Sequence, residues 1–385
     1  MKKILFFQWN ALMQKDVEEA LLARKDIEVD MISYEFADWD YDAYFEKRFP
    51  EHLLKKAYDM VFSINFFPVL SDICNRFQIL YVSWVYDAPM HIRRKETIGN
   101  PYNRVFVFDR GQYKDLLAGG CDQVYHMPLG VNVNRLDKME ITPAQKEQFS
   151  SSVSFVGKLY ENDFEYLLSP LPDVYREKLL GLVEQQKNVY GHYILNDVIT
   201  SELISQLNVY YANASGNRFQ IKKEELEYAC AAYITQMERL DILGTLSKEY
   251  TVDLYSYNQP KNLPKVNCKG FVKYYKEMPK VFRCSDINLN ISLKIIKEGI
   301  PLRVFDILGA GGFLITNYQK EIEECFVAGK DLVVYESMDD LREKVKYYLE
   351  HEEERKIIAK SGHDKAAKCF SIEKQIDKIL KQVLE

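Results

Sequence analysis

No run in the 385 residues reaches the ~20 consecutive apolar positions that a membrane-spanning helix needs. The opening MKKILFFQWN is basic, but its apolar stretch is too short for a signal peptide and passes into a polar helix. The expectation is therefore a cytoplasmic chain. There is no CxxC, and the seven cysteines are scattered and odd in number, which reads as reduced thiols rather than a disulfide framework or a zinc site. There is no basic excess: a net charge of −6 and a pI near 5.7 argue against a nucleic-acid-binding surface. No GxGxxG follows the first strand, so a dinucleotide dehydrogenase has little support. No DxD pair sits at a strand end to hold a metal. Asp339-Asp340 follows Ser337 and reads as helix capping. Short repeats and low-complexity tracts are also missing.

What is present is ample apolar content, 47%, in a length that fits two domains of ordinary size. From Ile4 onward, strand and helix patterns alternate: Ile4 to Gln8, Ile27 to Ile32, MVFSINFFP, ILYVSWVYDAPMH and RVFVFD are strands with helices between them. That is the pattern of a parallel doubly wound sheet. Ligands of such sheets gather at the carboxyl ends of the strands. The rule singles out Asn10, Asn65, Asp87, His91 and Asp109. Asp87 ends a strand, and Pro89 soon after blocks its continuation. As a carboxylate it suits proton abstraction from a hydroxyl, and His91 suits the same work with a pKa near neutrality. The bland reading of Asp87 is a turn-shaping residue, and that of His91 a helix start.

A polar stretch with serines at Ser150 to Ser152 marks a linker, so one domain is expected over 1–148 and a second over 149–370. SVSFVGKLY restarts a sheet, with Lys158 at a strand end. The stretch of about 164–229 looks mostly helical and too long for one crossover, hence a helical insertion that faces an acceptor or forms a dimer contact. YITQMERLDILGTLSKEY is an amphipathic helix whose Arg239 faces a ligand or pairs with an acid. In KGFVKYYKEMPKVFRCS a strand precedes a short helix, and Tyr274 is placed to stack on a planar base. The last helix carries Ile372, Ile376, Ile379 and Val383 at helical spacing.

The densest chemistry lies in DINLNISLKIIKEGIPLRVFDILGAGGFLITN, from Asp286 to Asn317. Ile287, Leu289 and Ile291 alternate with Asn288 and Asn290, as in a strand. KEGIPLR is a turn, and the apolar spacing then becomes helical from Pro301 to Gly309. A helix that starts just past a strand end points free N–H groups and partial positive charge at an anion, most often a phosphate. Arg303 adds a fixed charge and a fork of donors. Glu298 and Asp306, eight residues apart, would share a face if both were helical. Carboxylates repel phosphate but accept hydrogen bonds from sugar hydroxyls, so the combination favours a nucleotide sugar over a bare phosphate ester. The bland alternative is an amphipathic helix with solvated Arg and Asp.

EGIPLRVFDILGAGGFLITNY resembles the donor-site segment of the CgeB-like, or spore-maturation-protein-like, GT-B glycosyltransferases. SINFFP, SWVYDAP and PLGVN resemble the amino-terminal part of related glycosyltransferase-like proteins. The resemblance implies an α/β GT-B fold, two Rossmann-like doubly wound domains facing across a cleft, with residues 371–385 as a helix crossing back to the first. It implies transfer of a sugar from a nucleoside diphosphate sugar to a hydroxyl on a glycan or protein, without metal or other cofactor and with retention. It assigns Glu298 to the donor sugar, the backbone from Gly299 to Leu302 to the diphosphate, Asp306 to the ribose, and Arg303 and Lys158 to the phosphates. Glu298-x7-Asp306 departs from the Glu-x7-Glu of the wider motif by one methylene. The catalytic set is then Asp87, His91 and Glu298, and the donor set Lys158, Gly299, Leu302, Arg303, Asp306 and Tyr274. The rival readings are a non-catalytic nucleotide-binding or scaffold protein of the same fold and a sugar-nucleotide epimerase.

Overall fold

Residues 1–384 are described by a computed structural model of the chain. Its strands form two six-stranded parallel sheets. The first holds β1 (Lys2–Gln8), β2 (Ile27–Ser33), β3 (Met60–Ile64), β4 (Leu80–Val85), β5 (Asn103–Val107) and β6 (Val124–His126). Their spatial order is β2-β1-β3-β4-β5-β6. This is the 2-1-3-4-5 doubly wound order with one strand added, and its direction of winding reverses between β1 and β3. The second sheet holds β7 (Ser151–Val156), β8 (Val252–Tyr255), β9 (Asn267–Cys268), β10 (Ser285–Asn290), β11 (Leu314–Asn317) and β12 (Val333–Tyr335). Its order is β12-β11-β10-β7-β8-β9, which is 3-2-1-4-5-6 when counted from β7, with the reversal between β7 and β10.

Central parallel strands carry helices on both faces, so both sets of side chains are buried. Every residue of β3 is buried. The same holds in β10 for Asn288 and Asn290, which alternate with the apolar positions yet are 1% and 4% exposed. The amide of Asn288 donates to the carbonyls of Phe282 (2.9 Å) and Phe313 (3.1 Å) and accepts from Ser154 Oγ (2.8 Å). A buried amide needs such partners.

Contacts group the chain into two units: Met1–Lys138 with Gly299–Gly309 and the residues from Asp364 on, and Met139–Glu298 with Ala310–His363. The first grouping therefore ends at Lys138, where the composition pointed to 148, and it includes the helix Leu302–Gly309. Close packing explains the inclusion. A Cβ on Gly309 would lie 2.6 Å from Val131, and Phe305 packs on Phe370 with ring centres 5.3 Å apart. The terminal helix Ile372–Leu384 packs on the helix Gln14–Leu22, with Arg24 bonded to Asp377.

Three local readings shift. The helical insertion does not stop at 229: its last helix runs without a break from Lys223 to Leu246 and contains Arg239. Ala229, Ala231 and Ala232 continue that helix because they are small enough to pack closely, and Ala231 and Ala232 are buried. The strand expected in KGFVK lies just upstream, at Asn267–Cys268, and the following helix is Met278–Cys284. Glu298 sits in the turn rather than a helix, while Asp306 is helical, so the two do not share a helix face. Ser337 caps its helix as expected, accepting the Asp340 N–H at 3.1 Å.

Candidate active site

At the carboxyl edge of the first sheet, β3 leads to Asn65 and β4 to Asp87. The backbone N–H of Asn65 makes one more ladder bond, to Trp84 O at 2.9 Å. Its φ of 62° then turns the chain out of the sheet. Asn is one of the few residues besides Gly that adopts this conformation readily. Its side chain is 4% exposed, accepts the Tyr86 N–H at 2.7 Å and donates to Asp87 Oδ2 at 2.7 Å. Asp87 is half-buried, and the Ala88-Pro89 bond beyond it is cis. His91 is exposed. The segment after it is fixed by Asp40, a residue the sequence reading did not single out. Its buried carboxylate accepts the N–H groups of Arg93 (3.0 Å) and Arg94 (2.8 Å). The only sequence signal was its place among the acids of ADWDYD. Asn10, past β1, is also in the left-handed region, with φ 68°.

Asp109, at the end of β5, is 1% exposed and caps the helix Arg110–Ala118 by accepting the Gly111 N–H at 3.1 Å. The same carboxylate oxygen accepts the Gly299 N–H at 2.9 Å. This approach requires glycine: a Cβ on Gly299 would lie 2.7 Å from the Asp109 Cα. In the first turn of the helix that follows, Arg303 Nη1 donates to Asp306 Oδ2 at 3.1 Å. Asp306 is 6% exposed, so the guanidinium balances a carboxylate that is largely out of water. Leu302 opens that helix and is half-buried.

At the carboxyl edge of the second sheet, the winding reversal is closed by Arg239. Its guanidinium donates to Lys158 O, just past β7, and to Ile291 O, just past β10. It also lies 5.0 Å from the Phe155 ring centre and 4.8 Å from that of Tyr160. Arg239 thus fastens the two strand ends between which ligands of this topology bind. The Lys158 side chain is exposed there. Ser292 is fixed by Asn317, whose Oδ1 accepts its N–H at 2.8 Å. Glu298 lies in this unit, and its carbonyl accepts the Glu321 N–H at 3.1 Å.

Beside β10 and β11 a recess is lined by Tyr190, His192, Lys294, Lys297, Asn317 and Tyr318, among others. Lys294 Nζ lies 2.9 Å from Glu238 and 4.2 Å from the Tyr190 ring centre. Burial first, then the Glu238 charge, pushes the Tyr190 hydroxyl well above the ordinary tyrosine range, so it stays protonated. Tyr274 is half-buried and meets Tyr275 edge-on at 5.0 Å. A better exposed aromatic pair, absent from the sequence candidates, stands past β8 and β9. Tyr257 and Phe271, 71% and 54% exposed, stack at 4.4 Å and 15°. Twenty-seven tyrosines hid this pair, because only the fold brings 257 and 271 together. Among the described residues, no group of three or more His, Cys, Asp or Glu is placed to hold a metal ion, and no helix is long and apolar enough to cross a membrane.

Residues 224–381 match the model of a family described as glycosyl transferase-like. The chain carries a glycosyltransferase-like domain. The match takes in β8 to β12, Glu298, Arg303 and Asp306. No curated protein matches the sequence. Among solved structures, the Rickettsia africae glycosyltransferase is similar at a TM-score of 0.55 and 12% identity, over 100% of this chain and 99% of that one. Anabaena HepE, solved with UDP-glucose, is similar at 0.60 and 11%, again over 100% and 99%. The sucrose-phosphate synthase of Thermosynechococcus elongatus is similar at 0.52 and 10%, over 100% and 99%. At these identities the likeness shows the fold, which is GT-B, an α/β architecture of two doubly wound parallel sheets. The domain match is thus glycosyl transferase-like and the fold match is GT-B.

Proposed function

We propose that this chain moves a sugar from a nucleoside diphosphate sugar to a hydroxyl of a glycan or protein, without a metal and with retention, as the CgeB-like glycosyltransferases are expected to do. The observation that carries the reading is the match over 224–381, because that span holds the Glu298-to-Asp306 segment on a GT-B fold. The UDP-glucose held by Anabaena HepE supports a uridine diphosphate sugar as the donor class. In the reaction the bond from the sugar C1 to the diphosphate oxygen breaks, and its electron pair leaves on the diphosphate. The acceptor oxygen bonds to C1 on the face that the diphosphate leaves, as retention in one step requires, and its proton passes to a carboxylate, for which Asp87 is our candidate, with His91 second. Glu298 holds donor sugar hydroxyls and Asp306 the ribose. Arg303 and Lys158 meet the diphosphate charge that grows as the bond breaks. Tyr274, or the more open Tyr257 and Phe271 pair, offers a flat face to the base.

Thermal melting with UDP, GDP, ADP and their hexose derivatives tests the donor class. A ligand at about 100 times its Kd adds ~2.7 kcal/mol of stability, and one nucleotide series should do so. No shift with any of them would reject the reading.

A further inference from the structure

We infer that Asn65 is the positioning residue of Asp87. The inference rests on the reading of Asp87 as the group that takes or holds the acceptor hydroxyl. The structural reason is the end of the β3–β4 ladder. Main-chain pairing stops when Asn65 turns to φ 62° after its N–H has reached Trp84 O. The side-chain amide then acts as one further peptide unit. Its C=O takes the next N–H of the neighbouring strand, that of Tyr86, at 2.7 Å. Its NH2 donates to the residue after that, Asp87 Oδ2, also at 2.7 Å. The main chain of Asn65 is held from behind, because Ser63 Oγ donates to the Asn65 backbone carbonyl at 2.6 Å and in turn meets Tyr81 Oη at 2.9 Å.

Few side chains satisfy all these demands. The conformation favours Gly, Asn or Asp. Gly has neither acceptor nor donor. Asp keeps the acceptor for Tyr86 but sets a second carboxylate against Asp87, where like charges oppose ionisation. Gln has both groups on a chain one methylene longer. Asn alone combines the backbone, the acceptor and the donor at this reach. The position also matters: β1 and β3 flank the winding reversal of this sheet, where doubly wound sheets bind ligands. A donor fixed on one oxygen of Asp87 sets the direction of the carboxylate there, and it favours the ionised form that can accept a proton.

Three variants test this. Asn65→Gly removes the side chain without backbone strain, Asn65→Asp keeps the Tyr86 acceptor, and Asp87→Asn identifies the carboxyl signal by its loss. With 13C-labelled aspartate, the Asp87 carboxyl carbon should titrate at higher pH in Asn65→Gly than in the wild type, and higher again in Asn65→Asp. Amide exchange at Tyr86 should quicken in Asn65→Gly and stay slow in Asn65→Asp. With UDP-glucose or whichever donor the melting panel selects, Asn65→Gly should lower kcat about ten- to a hundred-fold, the range for a displaced reactive group, and leave donor KM unchanged. In an Asp87→Asn background the same change should have little further effect. An unmoved titration of Asp87, or an equal loss of kcat in both backgrounds, overturns the positioning role while leaving Asp87 intact as the reactive group. Full activity of Asp87→Asn overturns the reading of Asp87 itself, and the inference with it.

Discussion

Arg303 is bonded to Asp306 across one helical turn, and its role can be separated from that structural bond. Arg303→Ala should weaken nucleoside diphosphate and donor sugar together by roughly 1.5–3 kcal/mol, the range for hydrogen bonds to charged groups. The nucleoside without phosphates should bind wild type and variant about equally in calorimetry. An equal loss for the nucleoside would make Arg303 a partner of Asp306 and nothing more. Asp87→Asn should lower transfer about 100-fold or more, the weight of general-base catalysis, at unchanged donor affinity and melting temperature. If donor affinity falls in step, Asp87 belongs to the donor pocket or to the fold. Residue types at strand ends were readable in the sequence, since the alternation of strand and helix fixes where each strand stops. Their partners were not. Asn65 reaches Asp87 because β3 and β4 lie side by side, and Gly299 gives its N–H to Asp109 across 190 residues of sequence.

The turn from Lys297 to Pro301 and its helix form the element on which most of the donor assignment depends. Gly299 is there for space as well as for any ligand: its hydrogen side faces the Asp109 backbone. Gly299→Ala should therefore destabilise the chain by about 1–3 kcal/mol, the usual effect of overfilling a packed site. Chemical denaturation with no nucleotide present measures this. A stable variant that has lost only nucleotide binding would show that the close approach to Asp109 relaxes freely. The helix itself was legible from apolar spacing, Pro301 and Gly309. What could not be read was its company. Val131 and Phe370 lie far away in sequence, so nothing local told that the helix would pack against them. The helix Lys223–Leu246 was legible as helical in pieces, but its continuity was not, because alanines mark an interior helix and a boundary equally well.

For the whole molecule, two parallel sheets with the strand orders 2-1-3-4-5-6 and 3-2-1-4-5-6 each place one winding reversal at a carboxyl edge. The class of fold was legible from alternation alone, and the GT-B form of it from the Glu298-to-Asp306 segment. Donor base, donor sugar and acceptor were not legible, since they depend on side-chain shape around those edges. The central claim is that this chain cleaves a nucleoside diphosphate sugar with protein charge in place of a metal. The direct measurement is release of nucleoside diphosphate and free sugar from a panel of labelled UDP-, GDP- and ADP-sugars, with water as the acceptor, with and without EDTA. One donor should be hydrolysed slowly, at a rate that EDTA leaves largely intact and Glu298→Gln abolishes. Tight binding of a donor that is never cleaved would contradict catalysis and favour a nucleotide-binding protein. Cleavage lost with EDTA and restored by manganese or magnesium would contradict the metal-free mechanism.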